Sequence, residues 1–298
     1  MTYHPGELAV LLFGGADAER VHGDLWAWDG QNWRCVSAEG PPPRTFPTLA
    51  YDYRREGLVL FGGNRVLFGT EEDTDTFLND MWMWDGEEWH AVAGPMPSAR
   101  AEASMAYDQA RQRLVLFGGY RMEAGELVRL GDTWEWDGET WALMSTNGPS
   151  PRNGAAMVYD SHREHIVLFG GSGASGETWT WTGTTWTLIE AAVAHGRFNA
   201  AMAYDARQQV ILRFGGWDGE ARVGDTWTYD DTVWENVSTT GPDARNHAAM
   251  AYDAKRETLV LFGGHDGPRV FGDTWEWSGE AWLQKHHSDP HARVQNGH

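Results

Sequence analysis

Short apolar runs recur along the chain about every fifty residues. They are Val10-Leu11-Leu12-Phe13, Leu58-Val59-Leu60-Phe61, Leu114-Val115-Leu116-Phe117, Ile166-Val167-Leu168-Phe169, Ile211-Leu212-Arg213-Phe214 and Leu259-Val260-Leu261-Phe262, and each ends in Gly-Gly. Runs this short, bounded by glycine, predict buried β-strands. A run of small apolar residues precedes each, typified by Ala248-Ala249-Met250-Ala251, and ends in Tyr-Asp from the second copy onward. An alternating Trp-x-Trp segment follows each, beginning at Trp26, Trp82, Trp134, Trp179, Trp227 and Trp275, with Tyr229 replacing the second Trp of the fifth copy. A further Trp closes every copy, at positions 33, 89, 141, 186, 234 and 282. Helical periodicity is absent over any useful length.

One copy, read through 245–282, therefore predicts four strands, A to D: 245–253, 259–262, 273–277 and a last one around Trp282. Asp85-Gly86, Asp137-Gly138 and their equivalents mark tight C–D hairpins, because glycine tolerates positive φ there. Small residues on A suit a crowded axis, and the Trp of C and D suit gaps that widen outward. Two Trp at i and i+2 share one strand face. Seventeen of the 18 Trp belong to this scheme, so they read as packing, and Trp217 alone stands outside it.

The Leu-Phe-Gly-Gly strand ends, Tyr-Asp turns, Asp-Thr-Trp-x-Trp strands and Pro-x-x-Arg connections such as Pro149-Ser150-Pro151-Arg152 resemble the kelch family. The resemblance runs essentially from end to end. It implies an all-β, six-bladed propeller of four antiparallel strands per blade, formed as a single domain over 1–298. Pro290-His291-Ala292-Arg293 matches Pro242-Asp243-Ala244-Arg245, while Tyr3-His4 aligns with the Tyr-Asp turns. The ring is thus expected to close by pairing of the terminal segments, with 293–298 completing the first blade. Kelch propellers serve as adaptors, binding modules and, in some cases, enzymes, so the fold does not name a function.

In an up-and-down meander the A–B and C–D turns share one face, and the B–C and D–A loops share the other. The first set is short and uniform. The second varies, with enlarged B–C loops at 64–79 and 120–131. Insertions gathered on one face mark it as the expected binding face. Arginines recur there before strand A, at Arg44, Arg100, Arg152, Arg197, Arg245 and Arg293. They fit either bidentate capture of a carboxylate or phosphate or ties between loops, and sixfold repetition favours the ties. Equivalent arginines of kelch adaptors contact acidic peptides, which keeps these as ligand-binding candidates.

Positions where the copies disagree carry more information. Two residues after each arginine stand Phe46, Glu102, Gly154, Asn199, His247 and Gln295. Glu102 and His247 fall on opposite blades and form a candidate acid and base pair, with channel residues bonded to each other as the alternative. After the double glycines stand Tyr120-Arg121, Trp217-Asp218 and His265-Asp266, against Ala16-Asp17 in the first copy. An aromatic such as Trp217 can stack on a ligand, and acids on one side with Arg65 and Arg121 on the other would orient a dipolar one.

The formal charge of −20 argues against a nucleic-acid partner. No stretch has the roughly 20 apolar residues of a membrane span, and Met1-Thr2-Tyr3-His4-Pro5 lacks signal-peptide character. The expectation is a cytoplasmic monomer. Cys35 is the single cysteine and is expected to pack on an outer strand. Asp17, Asp218 and Asp266, or the acidic run from Glu71 to Asp75, offer oxygen ligands to a divalent metal without a convincing spacing. In iron-holding kelch proteins a Glu, an Asp and a His follow at four-residue intervals; Glu71 and Asp75 match, but Asn79 replaces the His. No cofactor is expected. The first functional expectation is a module binding a small polar ligand or protein segment at the variable-face mouth. The second is a cofactor-independent enzyme there, a mutarotase or epimerase-like isomerase, or a cyclase.

Overall fold

The computed structural model describes residues 1–67, 74–173, 176–190 and 194–286. Within them, six four-stranded antiparallel sheets follow one another along the chain, each with its strands in sequential order. They are the blades of a six-bladed β-propeller. The inner strands are Thr2–His4, Thr48–Asp52, Ser104–Asp108, Ala155–Asp160, Ala201–Asp205 and Ala249–Asp253. Each pairs with the apolar strand ahead of Gly-Gly; in the last blade Ala249 lies opposite Phe262 and Asp253 opposite Thr258. A separate hairpin, Tyr120–Glu123 with Glu126–Arg129, fills the third B–C loop. Among the described residues no helix is long and apolar enough to cross a membrane, which says nothing of strands.

The inner strands begin later than the sequence pattern predicts. Arg245–Ala248 is not strand, because His247 sits at φ 57° and turns the chain before Ala249. Phe46, Glu102 and Asn199 adopt the same left-handed conformation, at 54°, 49° and 52°, and Gly154 at 62°. Backbone bonds between blades hold them there: Glu102 N–H to Phe46 O (3.3 Å), Gly154 N–H to Glu102 O (3.0 Å), Asn199 N–H to Gly154 O (2.9 Å) and His247 N–H to Asn199 O (3.1 Å). These bonds form an arc about the axis through blades two to six, and they offset the strain of four side-chain-bearing residues at positive φ.

Each hydrophobic cluster spans two neighbouring blades. The first blade's Val10, Leu12, Trp28 and Trp33 pack on Ala249, Ala251, Val260 and Phe262 of the sixth, so the ring is closed within the described residues. The expected contribution of 293–298 to that closure lies outside them; the N-terminal share, Thr2–His4 paired to Ala9–Leu11, is present.

The Asp-Thr-Trp motif has a specific role in the joints. Trp33 Nε1 donates to Thr274 Oγ1 of the preceding blade (2.9 Å), as Trp186 does to Thr133, Trp234 to Thr178 and Trp282 to Thr226. Leu25 and Met81 replace the threonine in the first two blades. Trp89 Nε1 accordingly has no partner, and Trp141 meets only the Met81 sulfur at 3.4 Å. Cys35 is exposed rather than packed, because its outer strand buries Trp33 and presents Arg34 and Cys35 to solvent.

Candidate functional site

The repeating arginines point into the blades. Arg44 is fully buried and binds Asp80 through two nitrogens (2.6 and 2.8 Å), with further bonds to Gly62 O and Pro42 O. Arg100 repeats this on Asp132, Arg245 on Asp273, and Arg152 on Glu177. Each therefore ties the crossing from one blade to the B–C loop of the next. Burial works against the Asp80, Asp132 and Asp273 carboxylates, yet the guanidinium bonds hold all three below the usual carboxylate range. An incoming anion would have to displace the carboxylate already bonded to each buried guanidinium.

Arg197 departs from this set. Its Nη2 meets Asp225 at 2.7 Å and its Nη1 meets Gly196 O, but its Nε has no partner. The cause is Arg213, which occupies the strand position held by leucine in the other five blades. Arg213 is buried against Phe169, Trp227 and Trp234, with its guanidinium carbon 4.4, 5.3 and 5.0 Å from the ring centres. Its Nη1 takes the His195 carbonyl (3.2 Å), two residues before Arg197. In four other blades the arginine's own Nε binds that carbonyl's counterpart, as in Arg44 to Pro42 O. Burial and the nearby Arg197 charge push the Arg213 guanidinium down to about 9.

Arg197, Phe198, Trp217 and Asp218 line one cavity of about 280 Å³ on the variable face. Trp217 is half-buried, with Arg222 5.3 Å from its ring centre. Asp218 is exposed and accepts the amides of Glu220 and Ala221, which lower its pKa. A guanidinium, an indole and a carboxylate thus line one pocket.

At the axis the structure brings Glu102 and His247 together. His247 Nε2 lies 3.1 Å from Glu102 Oε1, and both are buried. Asn153 donates to Glu102 Oε2 (2.6 Å), and the Asn199 amide lies 2.6 Å from His247 Nε2. The Gly267 amide donates to His265 Nδ1 (3.1 Å), which leaves the proton on Nε2, and that nitrogen lies 3.1 Å from His247 Nδ1. His265 and His247 thus link the Gly267 amide to the Glu102 carboxylate. Burial first, then His247 and Arg222, push the His265 pKa down to about 4. Phe46 packs beside His247 with ring centres 5.1 Å apart. The cluster plugs this end of the axis.

Other candidates lie apart. Tyr120 is buried, packed edge-on against Phe77 at 5.3 Å, so the two enlarged loops lean on each other. Arg121 pairs with Glu123 (3.0 Å). Asp266 is exposed and caps its own turn at the Arg269 amide. Asp17 caps the Glu19 and Arg20 amides and binds His22 (2.8 Å), which holds its carboxyl below the usual range against the opposing effect of burial. No group of three metal-binding side chains occurs among the described residues. Glu71 lies outside them, and so do Arg293 and Gln295; Asp75 lies in a 3-10 turn. Sequence reasoning missed Asn153 and Arg213. Arg213 had a visible signal, since it breaks a leucine position kept in every other copy.

Fold and site thus define a six-bladed propeller with a plugged axis and a lateral polar pocket. No family model matches the chain. Parts of it are similar to curated proteins: dynein regulatory complex subunit 7 of Chlamydomonas reinhardtii, 35% identical over 121 residues, covering 38% of this chain and 10% of that protein; serine/threonine-protein phosphatase BSL2 of Arabidopsis thaliana, 28% identical over 162 residues, covering 50% and 15%; and Mei4-dependent protein 6 of Schizosaccharomyces pombe, 23% identical over 194 residues, covering 57% and 27%. The matched segments span from a tenth to about a quarter of these relatives' lengths.

Proposed function

We propose that the chain is a kelch-type binding module that takes a small dipolar ligand, or the polar side chains of a protein segment, on its variable face. The observation that carries this reading is the cavity that Arg197 lines together with Trp217 and Asp218. A ligand carboxylate would meet the guanidinium, an amino group Asp218, and an apolar or planar body the indole. Ligand-observed NMR with aromatic amino acids and their decarboxylated amines tests it. The amino acids are expected to bind, with affinity falling about tenfold in Trp217→Ala, the scale of one lost stacking contact. Equal binding of amines and amino acids would sink the reading. In it the protein acts as a cytoplasmic monomer.

Glu102 and His247 at 3.1 Å support a second reading, a cofactor-independent isomerase or cyclase using them as acid and base. Both groups are saturated by buried partners, so substrate would have to displace Phe46 and the Asn199 amide. Sugar anomer exchange followed by polarimetry tests it. Loss of turnover in both Glu102→Gln and His247→Asn supports catalysis; equal rates in wild type and variants refute it.

A further inference from the structure

One sizeable cavity does not lie on the variable face. A well of about 420 Å³ opens on the face of the A–B turns, where the connections are short and uniform. Its rim carries one tyrosine per blade: Tyr3, Tyr51, Tyr107, Tyr159, Tyr204 and Tyr252. Methionines and alanines of the inner strands, such as Met105, Met157, Met250 and Ala203, form its wall. No lysine, arginine or histidine side chain lines it among the described residues, and the amino group of Met1, which does, is pushed down to about 5 by burial. A cavity of this size is in the range that encloses small organic ligands.

The uniformity of the turns hides a slot that varies. Two residues after each rim tyrosine of blades two to six stand Tyr53, Gln109, Ser161, Ala206 and Ala254, and all five line the well. One side of the rim is therefore aromatic and polar, the other small. Tyr53 is 45% exposed, and its ring lies 4.9 Å from that of Tyr51 and 5.8 Å from that of Tyr107. Three aromatic rings gather at this edge of the opening.

Charge behind the rim is also uneven. The Asp of each Tyr-Asp turn is buried. Asp52, Asp108, Asp160 and Asp253 are each paired with an arginine three residues on, Arg55, Arg111, Arg163 and Arg256. In the fifth blade Gln208 replaces that arginine, and Asp205 is met by the backbone amides of Arg207 and Gln208. One rim carboxylate thus lacks the guanidinium its counterparts have. Burial, and after it Asp205, raises the Tyr252 pKa; burial and Asp52 push Tyr107 up to about 12. The phenols stay neutral at ordinary pH, with negative charge behind them.

We propose that this central well binds an alkylammonium cation of about choline size, seated against Tyr51, Tyr53 and Tyr107. An aromatic rim attracts a cation through the ring quadrupoles, while a neutral molecule of equal shape gains only the apolar contact. The Asp205 charge adds a weaker, longer-range attraction. The proposal is independent of the variable-face pocket, which opens on the opposite side of the ring.

Isothermal titration of the full chain with choline, and with its neutral isostere 3,3-dimethyl-1-butanol, tests this. Choline is expected to bind at least about tenfold more tightly than the isostere, and Tyr53→Ala to weaken choline about threefold to thirtyfold, the scale of one cation–π contact. Gln208→Arg restores the pairing already present in four blades and so should leave the fold intact. It is expected to weaken choline severalfold and leave the isostere unchanged. Equal affinity for the two probes, no choline binding at about 50 mM, where even a weak millimolar site fills, or choline binding unchanged in both variants would overturn the proposal.

Discussion

Replacing Thr274 with valine tests the joint between the last blade and the first. The change keeps side-chain shape and removes the hydroxyl that accepts from Trp33 Nε1 at 2.9 Å. Thr274 is fully buried and Trp33 nearly so, leaving no room for water to substitute. An unmade buried bond costs about 1–3 kcal/mol, and the added methyl returns a fraction of that. The unfolding entropy of 298 residues is roughly 630 cal/mol/K, so Tm should fall by about 2–5 °C. Thr133→Val and Thr178→Val, which strand Trp186 and Trp234, should behave alike. Thr226→Val should cost less, because its partner Trp282 is only half-buried. Thr274→Ser keeps the acceptor and loses a methyl. Urea titration of the series separates the two effects. If Thr274→Val is as stable as wild type, or no less stable than Thr274→Ser, the assignment of the motif threonine as a joint acceptor is wrong. The native Trp89, which lacks any acceptor opposite Leu25, shows that one joint tolerates the omission.

Two further outcomes follow from buried ionisable groups. Arg213→Leu removes a buried cation whose Nη2 has no partner, and should raise stability by about 1–4 kcal/mol, as replacing buried charges by well-packed apolar groups can. It should also return the His195 carbonyl to Arg197 and weaken binding at the Trp217 pocket; a less stable variant in urea would refute the account. For His265 the folded pKa of about 4 lies below the ordinary 6.5, so between these values the unfolded chain holds a proton that the folded chain lacks. Its contribution is complete above pH 6.5 and declines with acid, by about 2–3 kcal/mol at pH 4.5. Stability measured at pH 7 and 4.5 should differ by that much less in His265→Gln; an unchanged difference would count against the buried neutral imidazole.

Much of the ring was legible because a propeller repeats its physics. Gly-Gly, Tyr-Asp and the Trp ladders solve the same packing problem in every copy, so their spacing conveyed strand order and blade number. The start of the inner strand was less legible. A turn at Phe46, Glu102, Asn199 and His247 places four different side chains at positive φ, and only the equivalent fifth residue, Gly154, announces that conformation. The arc of bonds between blades overrides local preference there, and no single copy contains it. Arginine orientation was ambiguous for a related reason. A guanidinium before strand A reads equally as a ligand clamp or a brace until the acidic residue ahead of strand C is seen within its reach.

Disagreement between copies proved informative in a way that loop length was not. Length variation pointed to the face where the axis is plugged by Glu102, Asn199 and His247 and where the open pocket lies to one side, at the blade whose brace Arg213 disturbs. The opposite face has turns of constant length, and its variation is confined to single side chains: Tyr53 against Ala254, Gln208 against Arg256. Length is conspicuous in a sequence, whereas a substitution within a uniform turn stands out only once the equivalent residues are known to meet around one opening. The brace and the turn carboxylates obey the same rule. Where every blade repeats an ion pair, the pair supports the ring. Where one blade changes a partner, as at Arg213 and Gln208, the pairing near a cavity departs from the repeated scaffold, and a ligand site can differ from the rest of the ring there.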